Sequence, residues 1–237
     1  MQILADYHTH TIYSHGKGTI EENVKEAINK GIKTIGIADH GYKHLTYGVK
    51  IDDIYKMRED IDKLNEKYKN IEILLGMECN ILDCSGNIDM DDKIREELDY
   101  VMAGYHFGSQ PTSLKSMLNH CDNYIIKTQK AKENNTLGIV NAMKNNDIFI
   151  ITHPGDKGNI YIEEIAKIAK ITDTMLEINS SHGFLNCEQI SKIKTIGNKF
   201  VIGSDAHIPS RVGDFELAMK IVNGVNLDLS RIENIKV

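Results

Sequence analysis

The 237-residue chain has no tryptophan, three prolines and four cysteines. Cys79, Cys84, Cys121 and Cys187 form no C-x-x-C pair, and four cysteines in a chain this long do not indicate a disulfide scaffold. Cys79 reads as a small buried hydrophobe. No apolar run approaches the roughly 18 residues needed to span a bilayer. A strand pattern begins at once, leaving no room for a signal peptide, so a cytoplasmic location is expected. An excess of positive charge is also missing: the formal net charge of −6 argues against a broad nucleic-acid or anionic-membrane surface. Bound divalent cations could still create a local positive site. Proline- and glycine-rich linkers and blocks of like charge are scarce, so residues 1–237 are expected to form one domain. That length suits a single α/β barrel.

Histidine, by contrast, recurs in one kind of place. Seven segments run from apolar residues straight into His, Asp or Glu: LADYHTH (4–10), IGIADH (35–40), LLGMEC (74–79), VMAGYH (101–106), FIITHPG (149–155), MLEINSS (175–181) and FVIGSDAH (200–207). They hold His8, His10, His40, His106, His153 and His207, with His15 just downstream. Helical patterns separate them. Thr19 and Glu22 form a capping box ahead of Val24, Ala27 and Ile28, and Gly31 stops that helix. Ile54, Met57, Ile61, Leu64 and Tyr68 recur at helical spacing behind Asp52. Residues 80–90 alternate around Ser85-Gly86-Asn87 and read as a small hairpin excursion. Further helices are expected over much of 121–145, 161–171, 187–197 (with Asn186 as N-cap) and 214–223. Alternation of this kind implies parallel strands joined by right-handed crossovers. Seven units favour an α/β fold closed or nearly closed as a barrel; a doubly wound sheet would spread the polar strand ends along an edge instead of gathering them round a ring.

Those strand ends carry metal-ligand chemistry. His8 and His10, at i and i+2 on a strand, point the same way and could share one ion. Asp39-His40, Glu78, His106 and His153-Pro154-Gly155 each close another strand, and Asp205-x-His207 offers two more ligands from one loop. Any one of them is explained as a polar residue meeting water at a strand end. Coincidence at so many equivalent positions is not, and the pattern points to a multinuclear metallohydrolase.

DYHTHTIYSHG, ADHG, the glutamate of GMECNI, AGYHFG, THPG, EINSSHG and GSDAH resemble, in order and spacing, the motifs of the polymerase-and-histidinol-phosphatase (PHP) domain. The likeness is greatest to small single-domain bacterial phosphatases of the YcdX type, and it runs from residue 3 to about residue 224. The resemblance implies a distorted, TIM-like (β/α)7 barrel with three divalent transition-metal ions, commonly zinc, with manganese or iron in some members. Carried over, it gives His8, His10, Glu78 and Asp205 to one ion. Glu78 bridges to a second held also by His106 and His153, and His15, His40 and His207 take the third. Nine ligands with one bridging carboxylate leave open positions for water and substrate, as catalytic sites require.

The reading that follows is a phosphomonoesterase in which a metal-bridging hydroxide attacks phosphorus and no protein nucleophile is needed. Glu78, Asp205 and His207 would act at the reacting centre, and Arg211 could reach a phosphate oxygen with its fork. A solvated loop position is the alternative for Arg211, and the same pair of readings applies to Lys157. Asp39 could orient an imidazole, and Asn179 and Ser181 could line the mouth. His44, His120 and His182 lack a strand-end partner and are expected not to ligate. A PHP-type 3′–5′ exonuclease is the enzyme alternative, disfavoured by acidic charge and by the lack of a basic, aromatic-bearing groove. A non-catalytic metal-binding regulatory domain is the other. The expected partner is a small phosphorylated substrate, not a membrane or nucleic acid; its leaving group would be read by loops 44–50, 107–120 and 181–186. A homo-oligomer stays open. Similar phosphatases continue into a closing helix, so Asp228 to Val237 is expected to be a short, loosely docked tail.

Overall fold

One parity of each strand faces helices and the other faces inward, so the apolar alternation builds two layers of core. The computed structural model describes residues 2–236. In chain order the elements are β1 (Gln2–Ile3), β2 (Ala5–Thr9), α1 (Ile20–Asn29), β3 (Thr34–His40), α2 (Ile51–Lys67), β4 (Glu72–Asn80), α3 (Asp92–Glu97), β5 (Tyr100–Gly104), α4 (Leu114–Ile125) and α5 (Gln129–Asn145). They continue with β6 (Ile150–Ile151), α6 (Ile162–Ile171), β7 (Met175–Asn179), α7 (Cys187–Ile193), β8 (Phe200–Gly203), α8 (Glu216–Gly224) and β9 (Ile235–Lys236). Strands β2 to β8 form one seven-stranded sheet in sequential order, parallel throughout. A parallel bridge between Thr9 and Ala206 all but closes it, and the His10 amide donates to the Ala206 carbonyl at 2.8 Å. This is the distorted (β/α)7 barrel.

Outward-facing Ile73, Leu75 and Met77 of β4, Leu176 and Ile178 of β7, and Phe200 and Ile202 of β8 pack under the helices. Inward-facing Ala38, Tyr100, Met102, Ile150, Met175 and Val201 fill the barrel floor, with Tyr7, Leu74 and Phe149 against them. Filled in this way, the interior is a packed core rather than a pore. The capping box forms as read: the Glu22 amide donates to Thr19 Oγ1 at 3.2 Å and the Thr19 amide to Glu22 Oε2 at 2.8 Å. Gly31 takes a φ of +77°, a left-handed cap that a side chain would strain. The 80–90 excursion closes with a bridge between Ile81 and Ile88.

Three expectations are corrected. The helical pattern over 121–145 is two helices, α4 starting earlier at Leu114; the chain breaks at Lys127, whose φ is +58°, and Asp122 accepts from the Thr128 amide at 3.1 Å. Helix α7 ends at Ile193, short of 197, ahead of a turn in which the Ile196 amide donates to the Ile193 carbonyl and Gly197 takes a φ of +85°. Residues 228–236 are not loosely docked (Val237 lies outside the described residues). Asn234 inserts where β2 and β8 fail to pair: its Nδ2 donates to the Ala5 and Ile202 carbonyls, both at 2.7 Å, and its Oδ1 accepts from the Ile202 amide at 3.0 Å. One side chain thus substitutes for ladder hydrogen bonds, and β9 then pairs with β1. Among the described residues no helix is long and apolar enough to cross a membrane.

Candidate metal centre

Inward parity carried past each strand's carboxyl end delivers the polar residues to one mouth. Glu78 follows Leu74 and Gly76 on β4, His106 follows Tyr100, Met102 and Gly104, and Asp205 follows Val201 and Gly203. On β2 the register shifts between Asp6 and Thr9. An irregularity of this kind lets Tyr7 pack into the floor while His8 and His10 both reach the mouth. His153 and Asp205 have φ values of +24° and +53°, rare for residues other than glycine. Strain held at two strand ends is what a site that must aim its side chains retains.

Glu78 is fully buried and stands at the centre. Its Oε1 lies 2.8 Å from His153 Nε2, 3.0 Å from His106 Nε2 and 3.3 Å from His8 Nε2. Its Oε2 lies 2.8 Å from His40 Nδ1 and 3.7 Å from His10 Nε2. Asp205 Oδ1 approaches His10 Nε2 at 3.2 Å and His8 Nε2 at 3.6 Å. The His15 ring lies 4.7 Å from that of His40 and 4.1 Å from that of His207, centroid to centroid. All nine residues read as ligands therefore meet in one place. Three overlapping groups offer donor atoms close enough to share an ion: His10, His40 and His207; His8, His10 and Glu78; and His40, Glu78 and His106.

The donor set fits cations better than it fits itself. His10 Nδ1, His15 Nδ1, His40 Nδ1, His106 Nε2 and Glu78 Oε2 are buried without a hydrogen-bond partner. His40 Nδ1 and Glu78 Oε2 are only 2.8 Å apart, yet their directions do not make a hydrogen bond. Orphaned polar atoms at such density are costly unless something absent from the protein atoms satisfies them. Converging lone pairs are what a polynuclear cation site supplies.

Burial is the largest influence on each titrating group, and neighbours decide the outcome. Burial opposes charge on His8, but Glu177, Asp205 and Glu78 outweigh it and raise its pKa well above the ordinary value. The same contest, decided mainly by Glu78, raises His153. For His10 burial and the adjacent imidazoles act together and push the pKa well down. Burial, with His40 and His207, takes His15 to about 3, and burial takes His106 to about 4 against the pull of Glu78. Glu78 and Asp205 stay ionised because the surrounding imidazoles overcome their desolvation.

Several supporting residues escaped the sequence reading. Glu177, on β7 between inward-facing Met175 and Asn179, is fully buried; it accepts hydrogen bonds from His8 Nδ1 at 2.7 Å and from the His153 amide at 2.8 Å. A charged residue at an inward position of an otherwise apolar strand was the available signal. Asn80 Oδ1 lies 2.9 Å from His106 Nδ1, and Asp89 in turn accepts from Asn80 Nδ2 at 2.6 Å. These contacts hold the Nδ1–H forms of His8 and His106 and leave Nε2 facing the centre.

Asp39 is 3.9 Å from His10 Nδ1 and mainly ties down the loop before His15, accepting from the Thr11 amide at 2.8 Å and from the Thr11 and Ser14 hydroxyls. Asn179 donates to Glu177 at 3.0 Å and to Asp205 at 3.2 Å, and Ser181 donates to the Ser204 carbonyl at 2.9 Å. The centre opens into a cavity of about 230 Å³ whose rim adds His44, Tyr47, Phe107, Asp156, Lys157 and His182. His182, expected not to ligate, comes within 3.4 Å of both Asp156 and Asp205. Arg211 does not line this cavity; its guanidinium pairs with Asp214 at 2.9 Å, on a side chain that is 44% exposed. Lys157, beside Asp156 at 2.8 Å, is the basic side chain that does line it. His120 lies outside, in a separate cavity beside α4.

A family model described as the PHP domain matches residues 6–181. A protein named probable phosphatase from Thermoanaerobacter pseudethanolicus is 36% identical over 249 residues, spanning 97% of this chain and 90% of its own length. Another of that name from Clostridium acetobutylicum is 30% identical over 250 residues, spanning 99% and 91%. Among solved structures, a histidinol phosphate phosphatase from Lactococcus lactis subsp. lactis, complexed with zinc, L-histidinol and phosphate, has a TM-score of 0.64 at 17% identity and covers 95% of each chain. At that identity the likeness is one of fold.

Proposed function

The chain belongs to the PHP domain family, and on that premise we propose that it is a metal-dependent phosphatase, a phosphomonoesterase working with three divalent transition-metal ions. The observation that carries this reading is Glu78: one buried carboxylate within 3.7 Å of five imidazoles, several of whose ring nitrogens have no hydrogen-bond partner. We assign His8, His10, Glu78 and Asp205 to one ion, Glu78, His106 and His153 to a second, and His15, His40 and His207 to the third. Nitrogen and oxygen donors suit zinc, manganese and iron. Bound cations would supply a nucleophile from water at neutral pH and charge stabilisation for the phosphoryl oxygens. The chain's own residues set the geometry. Glu177 and Asn80 fix the His8 and His106 rings, the His207 Nδ1 proton goes to the Asp205 carbonyl at 3.0 Å, and Lys157 reaches toward a phosphate oxygen at the rim. Residues 1–237 act as one PHP-type unit on a small phosphorylated substrate.

The test is elemental analysis of purified protein together with a phosphomonoester panel, on wild type and on Glu78→Gln. Wild type should hold more than one transition-metal ion per chain. Glutamine is nearly isosteric but neutral, and its nitrogen is a poor ligand, so the variant should lose at least one ion and nearly all turnover while keeping its fold. His120→Ala, outside the mouth, should keep both metal and activity. Full metal content with near-normal rates in Glu78→Gln overturns the assignment.

A further inference from the structure

Helix α4 is amphipathic the wrong way round. Its Ser116, Asn119 and Asn123 face inward onto a cavity of mixed lining and the amides of α5; Asn123 Nδ2 and Asn119 Nδ2 both donate to Asn135 Oδ1, at 2.9 and 3.1 Å. Asn123 is the one residue of the helix that is buried. Its apolar residues face solvent: Leu114 is 68% exposed, Met117 43%, Leu118 59% and Ile125 79%, with Ile126 at 72% just beyond and Cys121 exposed among them. Spacings of three and four residues put these side chains on one stripe. A helix of a globular protein normally turns such a stripe to the core.

We propose that this stripe is a homodimer interface, in which α4 packs antiparallel against α4 of a second copy about a twofold axis. Two features select a second copy. The exposed side chains amount to on the order of 500–600 Å² of apolar surface, at the upper end of what a monomer leaves open. Paired by a twofold they would bury on the order of 1,000–1,200 Å² in total, which clears the roughly 1,000 Å² threshold of a biological interface and marks a weak, concentration-dependent dimer. Charge also fits. No charged residue interrupts the stripe, while Lys115 and Asp122 lie two turns apart on one flank. An antiparallel twofold centred between Leu118 and Cys121 sets Lys115 of each copy beside Asp122 of the other, at both ends of the contact. On the opposite flank Tyr124 packs edge-on against Phe107, ring centroids 4.7 Å apart, and Phe107 lines the mouth. The second copy therefore borders the side of the mouth that reads the leaving group, which favours small phosphoesters over extended ones.

Sedimentation or light scattering on the full chain tests this. Wild type should run at twice its 26.7 kDa mass. Leu118→Glu/Ile125→Glu, which alters only solvent-facing positions, should weaken the dimer by about a hundredfold or more, with circular dichroism unchanged. Lys115→Glu should weaken it by about tenfold, and a bismaleimide should cross-link wild type through Cys121 but not Cys121→Ser. An oligomer that survives Leu118→Glu/Ile125→Glu overturns the proposal. So does a monomer persisting at about 100 µM, whether or not it binds phosphatidylcholine–phosphatidylglycerol vesicles through α4.

Discussion

Replacing Glu177 by glutamine keeps the shape beneath the metal centre but removes one charge and one acceptor. Glu177 is wholly buried and serves three donors: His8 Nδ1 at 2.7 Å, the His153 amide at 2.8 Å and Asn179 Nδ2 at 3.0 Å. Glutamine has one carbonyl oxygen, so its NH₂ must face either His8 or His153 and leave that donor unpaired. A buried donor without an acceptor costs about 1–3 kcal/mol, and a hydrogen bond to a charged group is worth about 1.5–3 kcal/mol. At 1.4 kcal/mol per factor of ten, that range is about a 5- to 150-fold effect. Losses of about 10–100-fold in metal affinity on removing a ligand's outer partner agree with it.

The pH dependence carries a sign as well. Glu177 is the strongest charge raising His8, so the variant's His8 holds its proton less tightly. The pH below which metal is lost should move down even as affinity at pH 8 falls. Chelator competition between pH 5.5 and 8, with kinetics at saturating metal, reads both effects. Gly203→Ala gives an independent check, because a Cβ there would overlap Glu177 Oε1 and push the carboxylate off His8. Unchanged metal affinity in both variants, with the fold intact, refutes the positioning role of Glu177.

Asn234→Ala removes three hydrogen bonds between β2 and β8, worth about 3 kcal/mol together. The Tm should fall by about 6–12 °C at 2–4 °C per kcal/mol, with metal content retained at 25 °C; a shift under about 2 °C means the tail is not a structural closure. Adding zinc to metal-free protein at pH 6.5 should release at least one proton per chain, from His8 and His153, whose raised pKa values keep them protonated, whereas His10, His15 and His106 are already neutral. An indicator dye that records no release contradicts that charge pattern. Lys157→Ala should lower kcat/KM by roughly tenfold or more without changing metal content. Arg211→Ala, whose guanidinium is committed to Asp214, should change it less than about threefold; the reverse ranking would return the phosphate contact to Arg211.

The barrel and its mouth were legible because their signals are local. Apolar runs that end in His, Asp or Glu mark strand ends wherever the chain goes, and the Thr19–Glu22 box and Gly31 bound a helix through bonds spanning a few residues. The seven strands and the ligand-type residues at their ends follow from such patterns; His15, in the loop after β2, joined them only through the resemblance to PHP motifs. The break at Lys127 was not legible, because a single residue in the left-handed region interrupts a periodicity that otherwise continues; nor was the early end of α7, where the helical backbone passes into a turn with the Ile196 amide donating to the Ile193 carbonyl.

The sequence by itself determined which side chains close which strands, since strand parity and helix spacing are properties of neighbouring residues. Only the tertiary structure decided which of them serve one another. His8 and Glu177 are 169 residues apart, and Asn234 reaches Ala5 across 229. Arg211 had the chemistry for phosphate but found Asp214, while Lys157, no stronger a candidate by spacing, lines the mouth. Helix α4 shows the same limit from the other direction. Residues 114–120 read as part of a loop, and which way the helix they open turns its apolar face depends on what the inner face meets; here Asn135 holds the amides. Burial and hydrogen-bond partners at long separation are set by packing, and no local pattern encodes them.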